Sequence, residues 1–182
     1  NEKIKDIIEK LQKEMEVKAE EESEKTDAET EEIQFVDVDN DGMHDSDADI
    51  LKVIIQEQIL LGAILDEELD SEQYEWVDGR LTKIHWQNTG LRGEISFTGL
   101  DMLNTIDCQE NELNKLDVSE NKELVTLNCF FNQLDSVDVS NNLKLENLSC
   151  SGNNIAELDI SQNKDLSLLS CGDNQLTELD VS

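Results

Sequence analysis

The chain has 182 residues and carries 44 Asp plus Glu against 14 Lys plus Arg, a formal net charge of −30. Such a field repels nucleic acid and anionic membrane, and it draws cations and basic partners. No run of about 18 apolar residues is present, so no transmembrane helix is expected.

The opening NEKIKDIIEK lacks the apolar core of a signal peptide. Ile4, Ile7, Ile8, Leu11 and Met15 fall on one face at helical spacing, which predicts a helix over residues 1–25. Two readings fit that stripe: a helix docked on its own domain, or a short coiled coil that takes a partner. Residues 19–32 are acidic without apolar periodicity and read as a solvated linker.

Residues 36–50, VDVDNDGMHDSDADI, form the densest acidic cluster, and the apolar run LKVIIQEQILLGAIL follows at 51–65. Acid before apolar is the order of a helix start, where free N–H groups and the dipole favour negative charge. The spacing predicts a helix from Asp47 or Asp49 to about Leu61. It is too apolar to face water all round, so it should bury a side against the solenoid or the first helix.

From Tyr74 the period changes to two. After the turn Asp78-Gly79, Leu81, Ile84 and Trp86 mark one strand, and Leu91, Ile95 and Phe97 mark the next. Then a repeat begins. Cys108, Cys129, Cys150 and Cys171 are each 21 residues apart, and Asn111, Asn132, Asn153 and Asn174 keep the same step. Asp117, Asp138, Asp159 and Asp180 keep it too. Each unit splits into L-x-x-L-x-C-x-x-N-x and L-x-x-L-D-V-S-x-N-x-x, halves of ten and eleven residues. A fixed period in this range is the signature of a solenoid whose coils bury one another. The step from Leu81 to Leu103 is 22 residues, one longer than those that follow.

These LxCxxNxLxxLDVSxN units resemble the leucine-rich repeat family, in its bacterial nested form, over residues 80–182. The resemblance implies a right-handed stack of coils and recognition of protein or glycan on a strand surface. The fold class expected is therefore α+β. A helical N-terminal region, 1–72, precedes a right-handed leucine-rich-repeat solenoid, 73–182, with short parallel strands on two sides.

Within the repeat, the cysteines can be read as a metal or disulfide set or as a ladder of small buried hydrophobes. Zinc sites bring thiolates together through C-x₂₋₄-C pairs, whereas this spacing sets the thiols in a column, which favours the core ladder. Asp117, Asp138 and Asp159 point outward and are candidates for a cation or basic ligand. The alternative is hydrogen bonding to the following turn. Phe130 and Phe131 interrupt a column otherwise held by Gln109-Glu110, Ser151-Gly152 and Gly172-Asp173. They are either a binding hot spot or a ring tucked against a neighbouring loop.

The acidic cluster has its own pattern. With Asp37 at position 1, Asp39 and Asp41 fall at 3 and 5, Gly42 at 6, Met43 at 7 and Asp45 at 9. This D-x-D-x-D-G core resembles the EF-hand and dockerin-type calcium loops. Alternating carboxylates converge on a hard cation, Gly permits the sharp turn, and position 7 supplies a carbonyl. Position 12 is Ala48, so Asp47 or Asp49 would have to complete the site. The bland reading is an acidic helix-capping turn over 37–49.

Together these features predict a non-catalytic binding module, secreted or at the cell surface, with a structural calcium ion. An intracellular scaffold and a structural spacer in a larger surface protein are the alternatives. The two histidines, His44 and His85, belong to no hydrolase or phosphate-binding motif. The chain stops at Ser182 after a strand with no polar closing element, from which either further chain or self-association through the last coil is expected.

Overall fold

The computed structural model describes residues 45–179. The chain divides into two compact units, Asn1–Val36 and Asp37–Ser182, and every described residue belongs to the second. The expected first helix, the linker, loop positions 37–44 and the closing residues 180–182 lie outside the described residues.

Helix α1 spans Asp45–Leu60, starting two residues before the expected Asp47. Its end has a physical cause. Gly62 adopts φ 104°, its amide donates to Ile59 O (2.9 Å), and the Ala63 amide donates to Gln58 O (2.9 Å). That pair of bonds is the Schellman arrangement, in which a left-handed glycine lets the last carbonyls find donors. Ala48, Leu51, Ile54, Ile55 and Gln58 form the buried side of the helix.

Eight strands follow: β1 (Tyr74–Val77), β2 (Arg80–His85), β3 (Arg92–Ser96), β4 (Thr105–Asp107), β5 (Glu112–Asp117), β6 (Thr126–Asn128), β7 (Asn147–Ser149) and β8 (Leu168–Ser170). β1 and β2 form an antiparallel hairpin, and from β2 onward the pairing is parallel in the order β1-β2-β4-β6-β7-β8. One side of every coil thus adds to one sheet, as the repeat predicts.

The other side does so only at its start, where β3 pairs with β5. Beyond β5 the return segments are held mainly by side-chain amides. Asn142 Nδ2 donates to Val118 O and Asn121 O, and Asn163 Nδ2 donates to Val139 O and Asn142 O, all at 2.8–3.0 Å. The expected strand on each of two sides is therefore found only in the first coils. The extra residue of the 22-residue step lies between Leu91 and Ile95, where the register shifts at Gly93/Glu94 and Gly93 has φ 73°.

The core is one continuous column. Ile84, Ile106, Leu127 and Leu148 are fully buried at matching positions of successive strands. The first coil is filled differently. Trp86 takes the place of the later cysteines and packs with Tyr74 and Phe97, ring centroids 6.1 and 5.9 Å apart. Burial pushes the Tyr74 phenol up to about 12, and its hydroxyl donates to Asp66 O at 2.8 Å.

Helix α1 closes this end of the stack. Asp47 is fully buried; its Oδ2 accepts from Arg80 Nε (2.9 Å) and the Leu81 amide (3.0 Å), and its Oδ1 accepts from Arg80 Nη2 (3.1 Å). Gln58 acts as a substitute strand. Its Oε1 accepts from the Arg92 amide (3.0 Å) and its Nε2 donates to Arg92 O (3.2 Å), which satisfies the outer edge of β3.

Candidate binding face

The six-stranded sheet presents two outward columns. Lys83, Thr105, Thr126, Asn147 and Leu168 form one, and His85, Asp107, Asn128, Ser149 and Ser170 form the other. Alternation along each strand turns the intervening Ile and Leu inward, so the middle of the face is made of small polar side chains, with Lys83 and His85 at the cap end and Leu168 at the far end. His85 lies at its cap end and is exposed. His44 lies outside the described residues.

Beneath the face run two ladders. Cys108, Cys129 and Cys150 are fully buried, and Cys171 of the last coil is partly buried; none is in a disulfide. Burial pushes the Cys108 and Cys150 thiols up to about 12 and raises Cys129 well above its ordinary value. These are neutral packing groups, not nucleophiles. Next to them Asn132 Nδ2 donates to Cys108 O (2.9 Å) and Cys129 O (3.2 Å), while its Oδ1 accepts from the Leu113 amide (3.0 Å). Asn111, Asn153 and Asn174 repeat the pattern. Each amide thus joins two coils at the point where the backbone leaves its strand.

The solenoid is similar to the functional domain of InlJ from Listeria monocytogenes, a structure described as including a cysteine ladder. The TM-score with InlJ is 0.53 at 38% identity, over 56% of this chain and 23% of the InlJ chain. The likeness therefore spans under a quarter of InlJ. No family model and no curated protein matches the chain. Repeat pattern, sheet and likeness agree on a repeat solenoid similar to bacterial leucine-rich-repeat domains. No helix among the described residues is long and apolar enough to cross a membrane.

The aspartates have a local task. The Oδ1 atoms of Asp117, Asp138 and Asp159 accept the amides of Ser119, Ser140 and Ser161 at 3.0, 3.0 and 2.8 Å. Each carboxylate thereby closes the turn after its own coil, the alternative given by the sequence. Hydrogen bonds from Ser119 hold Asp117 below the usual carboxylate range, and those from Ser140 do the same for Asp138.

Phe130 and Phe131 stack on each other, centroids 4.0 Å apart. Phe131 is 50% exposed and adopts φ 49°. It leans over Gly152, whose absent Cβ would lie 2.1 Å from Phe131 Cδ1. The ring uses the neighbouring coil as a floor and still shows half its surface to solvent.

Of the calcium candidates, Asp37, Asp39, Asp41 and Met43 lie outside the described residues. Asp45, Asp47 and Asp49 fall in the first turns of α1. Both oxygens of Asp47 accept hydrogen bonds from Arg80 and the Leu81 amide, which ties the start of α1 to the first coil. Among the described residues no cluster of three His, Cys, Asp or Glu side chains is arranged to hold a metal. Sequence reasoning missed this lock and the Gln58 edge cap, since neither lies within a repeat. The second asparagine column, Asn121, Asn142 and Asn163, was visible in the 21-residue step.

Proposed function

We propose that the chain is a non-catalytic binding module whose strand face takes a protein partner. The observation that carries this is the face itself. It is an open sheet of small polar side chains on a rigid ladder, with a half-exposed aromatic pair at its margin. Aromatic anchors beside a polar rim are the usual composition of a protein-binding patch. The secreted or cell-surface location rests on the leucine-rich-repeat resemblance and on the calcium loop, and glycan as a second ligand class rests on the resemblance.

A structural calcium ion belongs to the same proposal. Asp37, Asp39, Asp41, the Met43 carbonyl and Asp45 would supply ligands, and α1 begins at the ninth loop position, where a calcium loop passes into its helix. The test of the binding reading uses the immobilised chain against fractionated host-cell and cell-wall proteins. Saturable capture that is lost on Asn128→Arg, at the middle of the face, is expected. Absence of saturable capture, or capture indifferent to Asn128→Arg, would overturn it.

A further inference from the structure

The second position of each phenylalanine-pair equivalent is a left-handed turn in five successive coils: Asn88, Glu110, Phe131, Gly152 and Asp173, with φ between 49° and 69°. Asn, Asp and Gly take that conformation readily, whereas a bulky ring does not. Nothing in the backbone calls for Phe131, so what its ring offers is surface.

The ladder fixes what lies beside it. The Asn111 amide donates to Phe131 O (3.1 Å), the Phe131 amide to Ser151 O (2.9 Å) and the Gly152 amide to Gly172 O (3.0 Å). Glu110 is therefore one coil from Phe131 on one side, about 4.8 Å along the ladder, and Asp173 is two coils away on the other. Both acids are exposed. The ring bridges the gap between them because Gly152 has no side chain to fill it.

The charge around the pair has one sign. None of residues 105–110, 126–132, 147–153 or 168–174 is basic, and Asp107, Glu110 and Asp173 are acidic. Away from this face, Arg92 pairs with Glu112, Lys115 with Glu94 and Lys144 with Glu123, while Lys122 and Lys164 sit in the turns after the second half of their coils. No cation of the repeat lies at this margin to neutralise it.

We infer that the Phe130–Phe131 pair, flanked by Glu110 and Asp173, seats a basic side chain of a protein partner, and that arginine fits best. The inference rests on the binding-module reading and names the partner's chemistry. A guanidinium lies flat on an aromatic face, where the ring quadrupole attracts it, and its remaining N–H groups reach carboxylates at either edge. Lysine supplies the charge but not the planar stack. The same field raises the encounter rate of a cationic segment.

The test is an NMR titration of the ¹⁵N-labelled chain with octa-arginine and, in parallel, octa-lysine. Shifts should centre on residues 109–110, 130–132, 151–152 and 172–173, with octa-arginine the tighter ligand. Phe131→Ser should weaken octa-arginine roughly twofold to thirtyfold, the span of a cation–π contact, with little change in melting temperature. Glu110→Gln should weaken it less. If Phe131→Ser lowers the melting temperature, Phe131→Leu keeps the apolar bulk and must still lose the arginine preference. Shifts centred on other acidic stretches, or Phe131 variants that bind octa-arginine as the parent does, overturn the inference. In that event, protein capture sensitive to Asn128→Arg would leave the binding module standing without a basic partner.

Discussion

Phe131 covers Gly152 of the next coil so closely that a Cβ there would meet the ring at 2.1 Å. Gly152 also has φ 69°, a conformation that costs an L-residue roughly 1–2 kcal/mol. Gly152→Ala therefore carries two penalties, one from the backbone and one from the ring. Urea denaturation should show a loss of about 2 kcal/mol or more, and the double variant with Phe131→Ser should recover the steric part. Additive effects in that cycle would mean the ring moves aside freely.

The two asparagine columns should differ in worth. Asn132 makes hydrogen bonds through both ends of its amide. Asn142 uses only its Nδ2, and its buried Oδ1 accepts nothing from the described residues. Asn132→Ala orphans the buried Leu113 amide and removes one of two amide donors from each of the Cys108 and Cys129 carbonyls, so a loss of about 2–3 kcal/mol is expected. Asn142→Ala removes a buried unsatisfied oxygen along with its bonds and should cost about 1–2 kcal/mol. Equal losses in chemical denaturation would contradict the pairing seen here.

Stability should fall at both ends of the pH scale for named reasons. The Cys108 and Cys150 thiols are raised by burial from 9.0 to about 12. Their contribution is fully present below about pH 9 and is lost as pH climbs through about 12. Asp117 and Asp138 are lowered from 3.8, so their smaller contribution is present above that pH and is lost as pH falls through the lowered values. Thermal melts across pH, with Cys108→Ala as the control for the alkaline limb and Asp117→Asn for the acid limb, would check both. Thiol labelling should be slow for Cys108, Cys129 and Cys150 in the native state, faster for Cys171, and complete for all four after denaturation.

Calcium and the Asp47 lock should be separable. With a Kd of ~0.1 mM, expected of an extracellular-type site, ~2 mM calcium would stabilise the chain by about 1.8 kcal/mol. Asp37→Ala or Asp41→Ala should abolish that gain and leave the chelator-treated stability unchanged. Asp47→Ala should instead destabilise by about 2 kcal/mol with or without calcium, because it orphans the buried Leu81 amide and leaves Arg80 with Asp101 as its one remaining carboxylate partner among the described residues. Asp49→Ala tests the other candidate for the missing ligand. Calorimetry showing no heat on calcium addition would leave 37–49 as an acidic helix cap.

By itself the sequence determined the repeat. A 21-residue step in Leu, Cys and Asn can be satisfied only by coils that stack in one register, because each coil's apolar side must be covered by the next. The cysteine column, the first-half strands and the inward Leu and Ile followed from that period. What only the tertiary structure decided lies where the period stops or where two sides of a coil compete. The sequence marks strands on both halves, yet beyond β5 the return side keeps single backbone bonds such as Asn154 N to Leu134 O and is otherwise joined by asparagine amides, a balance that depends on how far apart neighbouring coils lie. Asp47 looked like a metal ligand because its neighbours are acidic. Its partner Arg80 is 33 residues away, and only the docking of α1 on the first coil brings the two charges within 3 Å. The exposure of Phe131 was undecided for the same reason: its floor is a glycine one full coil further along the chain.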